Sequence, residues 1–294
     1  MCDKSFLDVT IKKMTTEIMN NKEVNIVKAL DTINLIFERC ASGINSLPPT
    51  VLYNEGWMLR LLLEWFSQQP ASGHPLDFSE GSRWYSEALI PSAFLPRKQG
   101  DKFAETWTHA DGVIGHFKIG ENRDTDLTLL TDATTLKVLE AKMLSRLSKG
   151  IKNAEYYNQA ARYIACIAEI LKRAKMDPIV MASVSFYVIA PKSQIEKGLF
   201  AAELSKESIS SIVEKGVKEH DDEHKTDKIK WFQDWFLPTL ERTDIQSISW
   251  EDILLHLKNV DPHVGSDLSI FYEKCRHYNK IKDTDNSSQG PWKQ

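Results

Sequence analysis

Residues 134–145, TTLKVLEAKMLS, decide how this chain is read. The stretch predicts a strand, and strand side chains alternate between faces, so Leu136, Val138, Glu140 and Lys142 share one side. That side begins apolar and ends with a carboxylate and an ammonium where the pattern calls for core. Burying such a pair is costly unless each member has a partner or a task. One task fits: the Glu can hold a hard divalent cation through oxygen, while the Lys faces the same small volume. There the ammonium can offset charge on a phosphate or orient an attacking water.

A single carboxylate holds Mg2+ weakly, so a second acid is expected on a neighbouring strand. Asp126 begins DLTLL, and a turn centred on Asp132 and Ala133 sets residues 125 and 126 opposite Glu140 in antiparallel register. Asp111 begins DGVIGHF and faces Glu140 only if residues 120–132 form a longer excursion. Hairpin geometry favours Asp126, and both are carried as candidates.

The flanking sequence supplies the rest of the order. ETWTHADGVIGHFKIG and DLTLL precede TTLKVLEAKM as three strand-like runs, which predicts an antiparallel meander. NAEYYNQAARYIACIAEILKRA, 153–174, has helical period, and IVMASVSFYVIAP after Asp177-Pro178 is another strand. Upstream, VLYNEGWMLRLLLEWF, 51–66, predicts a buried helix with Glu55 near its start. Residues 67–102 are rich in Pro, Gly and Ser, broken by the amphipathic WYSEALIPSAFLPR, in which Glu87 rivals Glu55 as a helix-borne acid. From residue 193 the patterns are helical again.

These readings give an α/β fold class in four parts: an N-terminal helical extension (1–48), a core (49–192), a C-terminal helical extension on the same domain (193–282) and a disordered tail (283–294).

The order of elements, with Asp before an apolar strand and Glu-Ala-Lys closing a later one, resembles the PD-(D/E)XK nuclease superfamily. Restriction endonucleases and the nuclease domains of recombination helicases belong to it. The acid of that family usually follows proline, whereas Asp111 follows Ala110 and Asp126 follows Thr125. THADGVIG has the look of the acid-bearing strand, which weighs toward Asp111. Gln159 and Tyr163, four apart on one helix face, match the Gln-x-x-x-Tyr element of the recombination-type branch. The resemblance covers roughly residues 50–190. It implies a restriction-endonuclease-like core, Gln159 and Tyr163 beside the metal site contacting substrate, and Glu55 as an additional metal-site acid.

Charge supports the same direction. The chain has 294 residues, 42% hydrophobic and 27% charged, with a formal net charge of -4. That excludes a uniformly basic nucleic-acid binder and leaves room for a local basic groove. Lys137, Lys142, Arg146, Lys149 and Lys152 fall within sixteen residues whose only acid is Glu140, as a phosphate-backbone binder would arrange them. The four scattered cysteines, Cys2, Cys40, Cys166 and Cys275, have no metal-ligand spacing and read as free thiols in a reducing cytosol. No run approaches the ~20 apolar residues of a membrane span, which predicts a cytoplasmic chain. No Gly-rich phosphate loop indicates an ATP-driven motor. His109 and His116 read as ordinary strand residues, 219–228 as a solvated charge run, and WFQDWF as a core stripe.

The expected activity is that of a Mg2+-dependent deoxyribonuclease, with Mn2+ able to substitute, in a defence, restriction or repair setting. Glu140 with Asp111 or Asp126, and Glu55 beside them, would ligate the metal, and Lys142 would act on the water and the phosphate. Gln159, Tyr163, Arg146 and Lys149 would bind DNA, with RNA as a weaker substrate, and a homodimer would permit double-strand cleavage. The alternative is a non-catalytic nucleic-acid-binding or assembly protein on a nuclease-like fold.

Overall fold

Two apolar strands buried on both faces organise the sheet, as expected for parallel neighbours covered by helices. The computed structural model describes residues 31–43, 47–94, 108–121, 125–148, 157–219 and 225–279. The chain divides into two compact units, 1–52 and 53–294. Of the expected N-terminal helices, α1 (31–41) is described, and residues 1–30 lie outside the described residues. The second unit contains α2 (Glu55–Ser67), β1 (Arg83–Tyr85), β2 (Ala88–Ile90), β3 (Thr108–Ala110), β4 (Gly112–Gly115), β5 (Phe117–Ile119), β6 (Leu127–Leu129) and β7 (Thr135–Ala141). There follow α3 (Gln159–Ala174), β8 (Ser183–Ala190), α4 (Lys192–Glu196), α5 (Lys206–Lys218), α6 (Lys225–Trp231), α7 (Leu237–Arg242), β9 (Asp244–Ser249), α8 (Trp250–Val260) and α9 (Pro262–Tyr278). The fold is mixed α/β, and among the described residues no helix is long and apolar enough to cross a membrane.

The main sheet has five strands in the order β1-β4-β7-β8-β9. β4 runs antiparallel to β7, while β8 and β9 continue parallel to it. All seven residues of β7 are buried. Leu136 and Val138 pack into the cluster built with Ala160, Ile164, Ile167 and Leu171 of α3. On the opposite face, a Cβ at Gly112 would stand 3.0 Å from both Leu59 and Leu63 and 3.4 Å from Leu139, so α2 lies close against β4 and β7. Leu59, Leu62, Leu63 and Phe66 are buried at helical spacing, and the Asn54 side chain caps the helix by accepting from Trp57 N–H. Each fully buried leucine of this kind contributes on the order of 2 kcal/mol.

Several expectations are corrected here. The three strand-like runs do not form one meander: β5 pairs with β6 as a separate hairpin, and β4 pairs directly with β7. WYSEALI is no helix but strand, turn and strand, with Glu87 at φ 58 in the turn. The C-terminal region is not wholly helical, since β9 joins the main sheet beside β8. WFQDWF keeps its place in the core: Phe232–Phe236 is a π-helical turn between α6 and α7, and Trp231 and Phe236 are buried with their rings tilted at 34°. The expected tail at 283–294 lies outside the described residues.

Gly115 is where the chain leaves β4 for the hairpin. A Cβ there would collide with the Thr135 carbonyl oxygen, so only glycine lets β4 lie this close to β7. Gly115→Ala is expected to destabilise the fold by about 2–3 kcal/mol, read by urea unfolding. A loss under about 0.5 kcal/mol would contradict the close approach.

Candidate active site

The site forms where β7 ends. The register Gly112↔Leu139 places Asp111 opposite Glu140, at the bend between β3 and β4. Asp111 Oδ2 accepts the Ala141 N–H at 2.8 Å, which ties the aspartate to the next peptide of β7. The longer excursion that Asp111 required is the β5–β6 hairpin. Asp126 is correspondingly absent from the site. It forms an isolated bridge with Leu89 and lines a separate cavity of about 320 Å3 with Pro91, Ile170 and Arg173.

Glu140 is 2% exposed and its carboxylate is surrounded by donors. Oε1 accepts from Lys142 Nζ at 2.5 Å and from Gln159 Nε2 at 2.6 Å. Tyr163 OH donates to Oε2 at 2.5 Å and also points at the His109 carbonyl oxygen, 2.8 Å away. Burial first, then the charges of Glu140 and Asp111, push the Tyr163 phenol well above its ordinary range, so it remains a donor. Its ring stacks on Phe186 of β8 at 5.1 Å.

The helix that carries this pair is fixed at its first turn. Asn158 caps it by accepting from Ala161 N–H. Gln159 N–H donates to Ser148 O, and Gln159 Oε1 accepts from Ser148 N–H at 3.1 Å. The backbone of Lys142 is held on two sides, its N–H donating to Ile189 O and its carbonyl accepting from Trp250 Nε1 at 2.8 Å. Trp250 is fully buried at the start of α8. Its role could not be read from the sequence, because the contact joins residues 108 positions apart.

The remaining candidates fall elsewhere. Glu55 begins α2 and acts on Cys275, and it is not among the charges that act on Asp111, where Glu87 is. Glu87 is exposed in the turn between β1 and β2 and its carboxylate faces Arg60 at 3.5 Å. Lys137 projects from the face opposite Glu140 and donates to the carbonyls of Pro75 and Asp77 at 2.8 and 2.7 Å. It belongs to the core and leaves the basic cluster. Arg146 is exposed after β7, and Lys149 and Lys152 lie outside the described residues. His116 is held between Glu80 O and Thr134 N–H.

Comparison with protein-family models, with curated proteins and with solved structures returned no match.

The Asp111 carboxyl is raised from 3.8 to about 7, chiefly by burial and then by the Glu140 charge, against the Ala141 N–H and Lys142. A folded pKa above the unfolded one means that the folded state binds more protons across this window. Stability is therefore lost as pH rises from about 4 to about 7. Asp111→Asn keeps the acceptor for Ala141 and removes the charge. It is expected to stabilise the metal-free protein by about 2–4 kcal/mol at about pH 8 and to flatten stability between about pH 4 and 7. Urea melts across pH in EDTA check this, and an unchanged pH profile would separate Asp111 electrostatically from Glu140.

Proposed function

We propose that the chain is a Mg2+-dependent nuclease that hydrolyses DNA phosphodiesters on a restriction-endonuclease-like core. One observation carries the reading: a second carboxylate, Asp111, arrives from another strand beside Glu140 and Lys142, with Gln159 and Tyr163 closing on the same group. A buried aspartate that also feels the Glu140 charge suits a cation between the two. Among the described residues no third Asp, Glu, His or Cys completes a metal cluster. Mg2+ does not require one, since it commonly keeps several waters and takes one or two carboxylates plus substrate phosphate oxygens. The pair fits, and Asp111 and Glu140 would hold the ion.

Bound there, the metal would supply an acidified water and neutralise charge on the phosphate. The chain's own groups do the remaining work. Lys142, 2.5 Å from Glu140, would as an ammonium orient the water and offset charge as the phosphorus–oxygen bond breaks, and only as the neutral amine could it take the water's proton. Gln159 and Tyr163 fix the plane of the Glu140 carboxylate, which makes them positioning residues of the site. Asp111 is oriented by the Ala141 peptide, so both carboxylates are referred to the same two residues of β7.

The test is cleavage of plasmid, linear duplex and single-stranded DNA, with an RNA arm, in Mg2+ or Mn2+. EDTA, Glu140→Ala and Lys142→Ala are each expected to lower the rate at least a hundredfold, on the scale of losing one preorganised electrostatic group. Activity surviving both substitutions sinks the assignment. A second reading, a DNA-binding or assembly protein that does not cut, is favoured by the saturation of Glu140 by Lys142, Gln159 and Tyr163. Calorimetric Mn2+ titration separates the two: no binding, despite affinity for DNA, selects the second.

A further inference from the structure

Arg162 lies between Gln159 and Tyr163 in the first turns of α3 and carries a guanidinium for which the described residues offer no partner. The residue is half-buried, its Nε is screened from solvent without a hydrogen bond, and no hydrogen bond or ion pair joins its guanidinium to another of the described residues. Four other arginines of the fold are matched, Arg83 lies over the Phe117 ring, and Arg146, like Arg162, has no ion pair among the described residues but is exposed. Arg60 donates to Ser86, Arg173 pairs with Glu169, Arg242 donates to the Met181 and Ala182 carbonyls, and Arg276 faces Glu273.

Its position makes the vacancy informative. At about 100° per residue, Arg162 leaves the helix about 60° from Gln159 and about 100° from Tyr163, flanking the two side chains that grip Glu140. Its charge reaches the Tyr163 hydroxyl. The carboxylates nearby already have their donors: Asp111 takes the Ala141 N–H, and Glu140 takes Lys142, Gln159 and Tyr163. A half-buried cation next along the helix to the pair that grips Glu140, with no partner among the described residues, is arranged for an anion that arrives from outside.

The geometry of a guanidinium narrows that anion. Its planar fork of N–H donors matches the two non-bridging oxygens of a phosphodiester, and it is more weakly hydrated than an ammonium. The Asn158 cap and the Gln159–Ser148 bonds fix the helical turn that carries it, so little backbone ordering is left for binding. We propose that Arg162 is a phosphate-binding residue of this site, gripping the backbone phosphate adjacent to the scissile one. The inference rests on the nuclease reading and adds a substrate contact to it.

The experiment uses the full chain: fluorescence anisotropy with labelled duplex and single-stranded oligonucleotides in EDTA over a KCl series, alongside cleavage and thermal melting. Arg162→Gln is expected to weaken binding by about tenfold or more and to reduce the log–log salt slope by about one. Tm should stay unchanged, because no bond within the chain is lost. Arg162→Lys should recover part of the affinity and the slope, since it keeps the charge without the fork. Wild-type affinity and slope in Arg162→Gln, or weakening with an unchanged slope or a lowered Tm, overturns the inference. If wild-type protein cuts DNA and Arg162→Gln binds normally, Arg162 falls alone. If wild-type protein binds without cutting, the nuclease reading falls and the slope still decides Arg162. Neither binding nor cutting overturns both.

Discussion

Glu140 is a carboxylate set into the interior, and the geometry around it follows from meeting that charge. An ionised group removed from water must find donors or be abandoned to its neutral form. Here the donors come from three directions: Lys142 two residues along the same strand, and Gln159 and Tyr163 from successive turns of α3. The helix must therefore lie with its first turns over the end of β7. That placement in turn sets which apolar residues of α3 meet Leu136 and Val138. Electrostatic demand at one residue and packing along a whole helix face are satisfied by the same docking.

The second constraint is the approach of β4. Asp111 reaches Glu140 because the chain bends there between two strands that pair in different sheets, β3 with β2 and β4 with β7. The β5–β6 hairpin then carries the intervening residues away, and Asp126 with them. Local hairpin rules favoured Asp126 because they count the shortest route between strands, and a detour costs little once its own ends pair. The family-like look of THADGVIG points to Asp111, and it is Asp111 whose carboxylate accepts the Ala141 N–H next to Glu140.

Much of the site was legible because it is carried by short spacings: Glu140 with Lys142 on a strand, Gln159 with Tyr163 on a helix. Periodicity also gave α2, α3, β7 and β8. What escaped depended on contacts distant in sequence. Lys137 read as part of a basic cluster because its neighbours are basic, yet odd and even positions of β7 face opposite ways, and its ammonium is buried among backbone carbonyls. Glu55 begins α2, where its charge bears on Cys275. The segment DIQSIS alternates too weakly to stand out between two helices, so β9 went unread, and with it the tryptophan that follows.

β9 has a bearing on how this chain can be divided. β8 reads SVSFYVIA, with seven of its eight residues buried, and β9 covers its outer side. A fragment ending at about residue 190, the span of a minimal core, would leave that strand as a long apolar edge with unpaired backbone groups. Such edges template association with other chains. The C-terminal region therefore covers an edge that would otherwise be open to association, and also braces Lys142 through Trp250.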